Sequence, residues 1–450
     1  MNPLLVSTSD QAGGAARSAW RLHRGLRAVG CPSRMLTLNK VSADPDVRAF
    51  VPPRSLPTRV RRKLRRRTLL RTRPALAETP VFEIFGTDLS EHGADLLDAV
   101  FPSPGSPNER HAGPTPDVVN LHWVARMFDD RTFLPALAAR APVVWTLHDM
   151  QPFTGGCHYD GPAMAPCGRF AGPPIEYGNT TGGEPKCGRC PQLAGDAEDD
   201  LSRRIWKRRQ EAFGRIPTDR LTFVTPSRWL GAEVSRSALC GRFPVEVIPY
   251  GLDLDLYRPH DRSFAREVLG VPPNAKTILF LSDSVGNVRK GFEYLRSALE
   301  RLRGLSDLYL VTVGRGAPEL PDGLPHVALG SVSDDRILAL AYAAADLFAI
   351  PSLADNLPNT VLEAMACGTP SVGFAAGGIP DMIRPGETGL LAPTGDVPAF
   401  ADALAALLSD DALRTRLGKN CRRVAEAEYA LARQGHDYQA LFERTLGRAA

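Results

Sequence analysis

Short apolar runs rich in β-branched residues alternate along this chain with segments whose apolar positions recur every three to four residues. Residues 3–9, PLLVSTS, predict a buried strand. The turn DQAGGAA then opens an amphipathic helix, RSAWRLHRGLRAVG, which Gly30 closes, and the strand SRMLTL follows. PDVVNLHW (116–123), APVVWTLHD (141–149), RLTFVTPS (220–227) and VEVIPYG (245–251) continue the strand series, with the helical DRTFLPALAAR between the first two. From about Ala275 the alternation restarts with KTILFLS, DLYLVTVG, HVALG, DLFAIPS and PSVGF, separated by helical stretches such as RILALAYAAA. Strands interleaved with helices predict parallel sheets covered on both faces.

The pattern therefore predicts two doubly wound α/β domains, 1–252 and 253–430, facing each other across a cleft. The polar, Pro-containing GLDLDLYRPHDRS forms the hinge between them. Residues 431–450 predict a carboxy-terminal helix that needs another surface to lie on, and the amino-terminal domain offers one. In doubly wound sheets ligands sit beyond the carboxyl ends of the strands.

A length of 450 residues is too great for one ordinary core and agrees with two domains of roughly 200 residues. A net charge of +4 over that length does not mark a nucleic-acid binder as a whole. No run approaches the ~20 apolar residues that cross a bilayer. The start, MNPLLVSTSDQAGG, lacks a positive leader followed by an apolar stretch, so a cytoplasmic location is expected. There, eight cysteines point to thiols or metal ligands more than to disulfides.

The stretch LADNLPNTVLEAMACGTPSVGF, 353–374, carries the most chemistry. The strand DLFAIPS delivers Asp355 into the cleft. Pro358 suits the first turn of a helix, Asn356 or Asn359 its cap, and Gly368 its end. The N–H groups and dipole of such a helix mouth favour an anion such as phosphate. Glu363, within the helix, suits the vicinal diol of a ribose. The order strand, acid, helix mouth, acid fits a nucleotide-sugar, although an ordinary βα unit with two acids has the same spacing.

DNLPNTVLEAMACGTPSV, GGIPDMIRPGETGLLAPTGD, RKGFEYL and IPYGLD resemble the retaining glycosyltransferases of family 4, which have the GT-B fold. The subgroup resembled most is one of bacterial polysaccharide-type transferases that also carry LHDMQPFTGGCHY and a cysteine cluster. The resemblance spans nearly the whole chain and is weakest at 40–115. It implies a donor site on the carboxy-terminal domain, an acceptor site on the amino-terminal one, and no catalytic metal.

In the family's Glu-x7-Glu motif the first acid contacts the donor sugar and the second the ribose. Here Asp355 stands in the first place, one methylene shorter, and Glu363 in the second. The resemblance gives Lys290 the donor diphosphate and His148 a donor contact. The family's Gly-Arg pair is absent from FLSDSVGNVRKG, and Arg289 is the substitute within reach. Asn356, Leu357, Asn359 and Thr360 complete the donor-binding set around the helix mouth, with Gly13 and Gly14 on the first βα turn. His122, Ser227 and the turn from Gly377 to Ile383 are further candidates, each equally readable as plain structure. Asp253 and Asp255 mimic an Asp-x-Asp metal motif but fall in the hinge.

Cys157, Cys167, Cys187 and Cys190 lie within 34 residues, and the last two have zinc-knuckle spacing. Four thiolates suit a structural Zn²⁺, with His158 as a substitute ligand; a disulfide or free thiols are the alternatives. Arg59–Arg73 holds nine basic residues in fifteen with a thin apolar edge. It reads as a solvated face, as a surface for anionic lipid at the inner face of the cell membrane, or as a site for an anionic acceptor or nucleic acid.

The expected activity is transfer of a sugar, with retention, from a nucleoside diphosphate to an acceptor hydroxyl. UDP is the first expectation and GDP the second. The acceptor is a glycan, a lipid-linked glycan or a small natural product. A zinc-containing nucleic-acid-binding protein and a nucleotide-sugar epimerase on the same fold are the alternatives.

Overall fold

The computed structural model describes residues 1–52, 92–106, 113–125, 127–159, 187–190 and 192–449, with single positions at 60, 63, 64, 67 and 108. Most of Arg59–Arg73 and Cys167 lie outside the described residues. The chain forms two compact units: the first runs to Ile248 and includes residues 434–450, and the second runs from Pro249 to Arg433.

The first unit is built on a parallel sheet of β1 (Pro3–Ser9), β2 (Arg34–Asn39), β3 (Val47–Ala49), β4 (Val118–Leu121), β5 (Val143–Thr146), β6 (Leu221–Thr225) and β7 (Val245–Val247). Their spatial order is β3-β2-β1-β4-β5-β6-β7. Successive side chains point to opposite faces, and both faces are covered. Leu5, Met35, Val118, Val144 and Val224 pack on one side with Ala19, Leu22 and Leu26 of the helix Gly14–Ala28. Val6, Val119, Leu121, Val143, Trp145 and Phe223 pack on the other. The closing helix, Leu431–Ala449, adds Tyr438, Leu441 and Phe442 to the first cluster. The Tyr438 hydroxyl there meets the Thr146 hydroxyl at 2.9 Å.

The second unit repeats the plan with β8 (Lys276–Ser284), β9 (Leu308–Arg315), β10 (His326–Ala328), β11 (Leu347–Ile350), β12 (Ser371–Phe374) and β13 (Gly389–Ala392). Their parallel order is β10-β9-β8-β11-β12-β13. Both sheets therefore wind outward in two directions from a central pair of strands, β1 and β4 in one and β8 and β11 in the other. The two doubly wound α/β domains read from the sequence are both present. Two strands that the pattern does not predict, β3 and β13, lie at sheet edges, where three or four residues pair with a single neighbour. Among the described residues, no helix is long and apolar enough to cross a membrane.

Candidate active site

In the second unit the winding reverses between β8 and β11, and such a switch point opens a crevice at the strands' carboxyl ends. The chain leaving β8 makes a short 3-10 turn, Val288–Lys290, whose first N–H groups are tied by the Asn287 side chain accepting from Arg289 at 3.1 Å. Gly291 follows with φ 72°, and a Cβ there would collide with the carbonyl of Pro351 after β11. Glycine at this position is what lets the two strand ends come together.

Lys290 Nζ consequently donates to Asp355 Oδ2 at 2.6 Å. The Arg289 guanidinium lies 3.5 Å from the same oxygen and donates to the Ala354 carbonyl at 2.7 Å. Burial alone would raise the Asp355 carboxyl, but Lys290 and then Arg289 hold it below the usual carboxylate range. Burial draws Lys290 below its ordinary value, against the pull of Asp355. The pair is largely removed from water, where charge–charge forces are strong. The turn at Gly377, φ 56°, closes on the same residue: a Cβ there would collide with the Asp355 carbonyl, and the Gly378 N–H donates to that oxygen at 2.9 Å.

The helix Asn359–Ala366 begins four residues beyond Asp355. No side chain caps it: Pro358 occupies the cap position, and Asn356 and Asn359 do not take the capping role expected of one of them. Pro358 has no N–H to offer, and its carbonyl accepts from Val361 and Leu362 at 3.0 and 3.3 Å. Asn359 and Thr360 therefore stand at the helix's positive end, behind a cap residue whose own side chain accepts no hydrogen bond. Leu357 and Asn356 are buried in the approach to it. At the other end the Gly368 N–H donates to Met365 and the Thr369 N–H to Ala364, so Gly368 closes the helix as the sequence predicts. Glu363 is 2% exposed, and its Oε2 accepts from the Tyr342 hydroxyl at 3.0 Å. Burial and then the Glu363 charge push the Tyr342 phenol well up, so it stays a donor.

The first unit's switch point lies between β1 and β4. Gly13, φ 91°, precedes the helix that Gly14 begins, again without a side-chain cap. His122 follows β4 and His148 follows β5. Their rings stack at 5.4 Å, and His122 Nδ1 lies 3.1 Å from His148 Nε2. Burial lowers His148 to about 4 and, with the neighbouring ring, takes His122 well below its ordinary value. Two neutral imidazoles share one proton along that contact. Beside them, His158 Nδ1 meets Asp149 at 2.7 Å. Burial would raise the Asp149 carboxyl, but His158 and the Gln151 N–H keep it low. Ser227 caps the helix Arg228–Arg236 by accepting from Leu230 N–H at 3.1 Å.

Two members of these clusters carry no sequence signal recognised above. Tyr342 lies in an alanine-rich helix and reads as core. Asp10 is fully buried at the end of β1 and accepts N–H groups of Val41 and Ser42 at 2.8 and 2.9 Å, anchoring the loop after β2. An acid just before a Gly-Gly turn is the hint that could have found it.

Of the four candidate metal ligands, Cys157 and then local backbone groups draw the Cys190 thiol below its ordinary value against burial, and Cys157 accepts from Gln192 at 3.3 Å. Cys187 lies beside Gly155, and Cys167 is outside the described residues. Among the described residues, no group of three or more His, Cys, Asp or Glu is arranged to hold a metal ion, and no disulfide joins the cysteines.

Residues 275–410 match the family described as Glycosyl transferases group 1, so the second unit carries that domain. A D-inositol 3-phosphate glycosyltransferase of Nocardia farcinica is 32% identical over 252 residues, 52% of this chain and 53% of its own. The chain spans about half or less of the length of the curated relatives of this description. Sucrose-phosphate synthase from Thermosynechococcus elongatus superposes with a TM-score of 0.64 at 20% identity, covering 100% of both chains. The Anabaena protein HepE, solved with UDP and glucose, gives 0.60 at 16% identity and covers 98% of this chain and 99% of its own. At those identities the likeness is one of fold, and the fold is GT-B.

Proposed function

We propose that this protein is a glycosyltransferase that moves a sugar from a nucleoside diphosphate, UDP first and GDP second, to an acceptor hydroxyl with retention of configuration. The observation that carries the reading is the buried Lys290–Asp355 pair beside an uncapped helix mouth at a switch point of the group 1 domain. The curated relatives named as glycosyltransferases and the structural neighbour solved with UDP and glucose support it.

In this reading the donor diphosphate lies against Lys290, Arg289 and the N–H groups at Asn359 and Thr360. Glu363 takes the ribose, held in its rotamer by Tyr342. Asp355 meets the donor sugar. The glycosidic C–O bond to the diphosphate breaks as an oxocarbenium-like sugar forms. The acceptor oxygen attacks from the same face, and its proton passes to the departing phosphate oxygen. Donors already in place stabilise the charge developing on the diphosphate, which is where preorganised electrostatics are worth most. Gly13, Gly14 and His148 are the donor-binding candidates of the first unit, at its own switch point, with a neutral His148 as a hydrogen-bonding group. The acceptor, glycan, lipid-linked glycan or small natural product, binds on the first unit. Arg59–Arg73 supplies contact with anionic lipid at the inner membrane face.

A thermal-shift panel of UDP, GDP, ADP and dTDP on wild type and Glu363→Ala tests the donor assignment. A nucleotide at a hundredfold excess over its dissociation constant adds about 2.7 kcal/mol. One nucleotide should stabilise the wild type and not the variant; equal shifts in both would remove Glu363 from the site. A structural Zn²⁺ on Cys157, Cys167, Cys187 and Cys190 is a companion proposal, supported by the spacing and by the Cys157–Cys190 contact. Metal analysis of untagged protein should find about one equivalent of zinc, and less than about a tenth overturns it.

A further inference from the structure

The stretch LHDMQPFTGGCHY, 147–159, enters the proposed chemistry only through His148. In the structure its two ends meet. Asp149 follows the carboxyl end of β5, and His158 returns to it nine residues later. His158 Nδ1 lies 2.7 Å from Asp149 Oδ2, and the Met150 N–H donates to the His158 carbonyl at 2.9 Å. The loop between them is pinned on its inner side. The buried Arg209 guanidinium donates to the carbonyls of Gln151 and, at 2.7 Å, of Thr154. Phe153 is fully buried in the first unit's core, and the Thr154 hydroxyl donates to the Cys157 carbonyl at 2.7 Å.

All but one of the polar side-chain atoms of the Asp149–His158 pair have partners. Asp149 Oδ1 accepts the Gln151 N–H at 3.0 Å, and Oδ2 takes His158. An ionised carboxylate only accepts, so His158 carries a proton on Nδ1. His158 Nε2 has no hydrogen-bond partner among the described residues. The ring is steadied by Trp123, on which it stacks with 6.2 Å between centroids and 21° between planes. Trp123 follows β4, and its carbonyl accepts the Thr8 N–H of β1 at 2.8 Å. His158 is thus tied to the ends of the two strands that form the first unit's switch point, with 23% of its side chain exposed.

An imidazole with one nitrogen fixed by a carboxylate and one face by an indole loses little freedom when a ligand meets its other nitrogen. In the neutral ring Nε2 is a bare acceptor, and a substrate hydroxyl is a donor that suits it. The attacking acceptor oxygen commits its own proton to the departing phosphate, so the hydroxyl at Nε2 is a different one. We propose, on the glycosyltransferase reading above, that His158, positioned by Asp149 and Trp123, binds a second, non-reacting hydroxyl of the acceptor. The acceptor is then a polyol such as a sugar ring, and not a monohydric alcohol.

Saturation-transfer NMR on the full chain tests this. The probes are the methyl α-pyranosides of glucose, galactose and mannose, and myo-inositol, with n-butanol as the monohydric control. At least one polyol should bind saturably, and butanol should not compete with it. His158→Phe keeps an aromatic ring beside Trp123 and lacks Nε2; it should weaken that polyol about fivefold or more. His158→Gln, which returns a polar atom near the place of Nε2, should recover most of the loss. Zinc content should be equal in wild type and His158→Phe. No polyol binding, competition by butanol, equal affinity in wild type and His158→Phe, or zinc lost from that variant would each overturn the role of His158. The nucleotide thermal shift should be the same in wild type and His158→Phe. Absence of any such shift in the wild type would strike the donor reading instead, while the polyol titration still decides whether His158 binds hydroxyls.

Discussion

The two switch points use one backbone plan and opposite electrostatics. In the second unit the strand ends bring together a cation pair and a carboxylate, with Lys290 and Asp355 2.6 Å apart. In the first the corresponding place holds the His122–His148 pair, which burial keeps neutral, beside a glycine turn. A doubly wound sheet thus specifies where a ligand can sit and leaves its charge to a few residues after each strand. The crevice with the lysine and arginine suits a diphosphate; the one with two neutral imidazoles beside the Asp10 and Asp149 carboxylates offers no cation, among the described residues, to an anion and suits hydroxyl groups.

The strongest way to break this contrast is to remove the charged partner. Asp355→Ala leaves Lys290 and Arg289 facing each other without a counter-ion, and stability should fall by about 3–5 kcal/mol. Lys290→Ala should lower kcat about 10²–10³-fold through loss of charge stabilisation on the leaving group. Denaturant unfolding and steady-state kinetics check the two. A Lys290→Ala effect no larger than that of His148→Gln would erase the distinction.

Acid titration separates the two places by range, since both lose stability as pH falls. His148 titrates near 4 in the folded protein, against its ordinary value of 6.5. Between those values the unfolded chain holds the proton and the folded chain does not. Stability from neutral His148 is therefore full above pH 6.5 and declines as pH falls toward 4, by about 3 kcal/mol. Asp355 behaves differently: its lowered carboxyl contributes fully above its ordinary value of 3.8 and loses that contribution only below it. The difference in unfolding free energy between wild type and His148→Gln should shrink from pH 7 to pH 4.5. A difference independent of pH would mean that His148 is not held neutral.

A smaller effect sharpens the picture on the charged side. Tyr342→Phe deletes the hydroxyl that holds Glu363 Oε2 and should weaken nucleotide binding by about 1 kcal/mol, roughly fivefold. If Glu363 contacts ribose, KM for the donor should rise more than kcat falls. An unchanged nucleotide affinity would make Tyr342 a packing residue only.

Much of this was legible in the sequence because buried parallel strands are continuous apolar runs, and the residues just after them are where ligands meet a doubly wound sheet. Asp355 and His148 could each be placed at such a strand end before any coordinates, whereas Lys290 is reached through the family resemblance of RKGFEYL. The cap of the Asn359–Ala366 helix was not, because Asn356 and Asn359 suit a cap as a residue type, whereas the chain's direction places Pro358 there. Tyr342 is 21 residues from Glu363, and only the packing of two helices joins them. The edge strands β3 and β13 escaped because an edge pairs on one side and needs no long apolar run. The neutrality of the histidine pair follows from burial, which no single position in a sequence encodes.

The closing helix carries a consequence for synthesis. Tyr438, Leu441 and Phe442 complete a cluster whose other members, from Leu5 to Ile248, are made first. Phe442 comes 194 residues after Ile248, so at about 5–20 residues per second the ribosome needs roughly 10–40 s to supply that final layer. During that interval the nascent first unit shows an unfinished apolar face, which makes it a natural client for a chaperone until the last turn of the chain arrives.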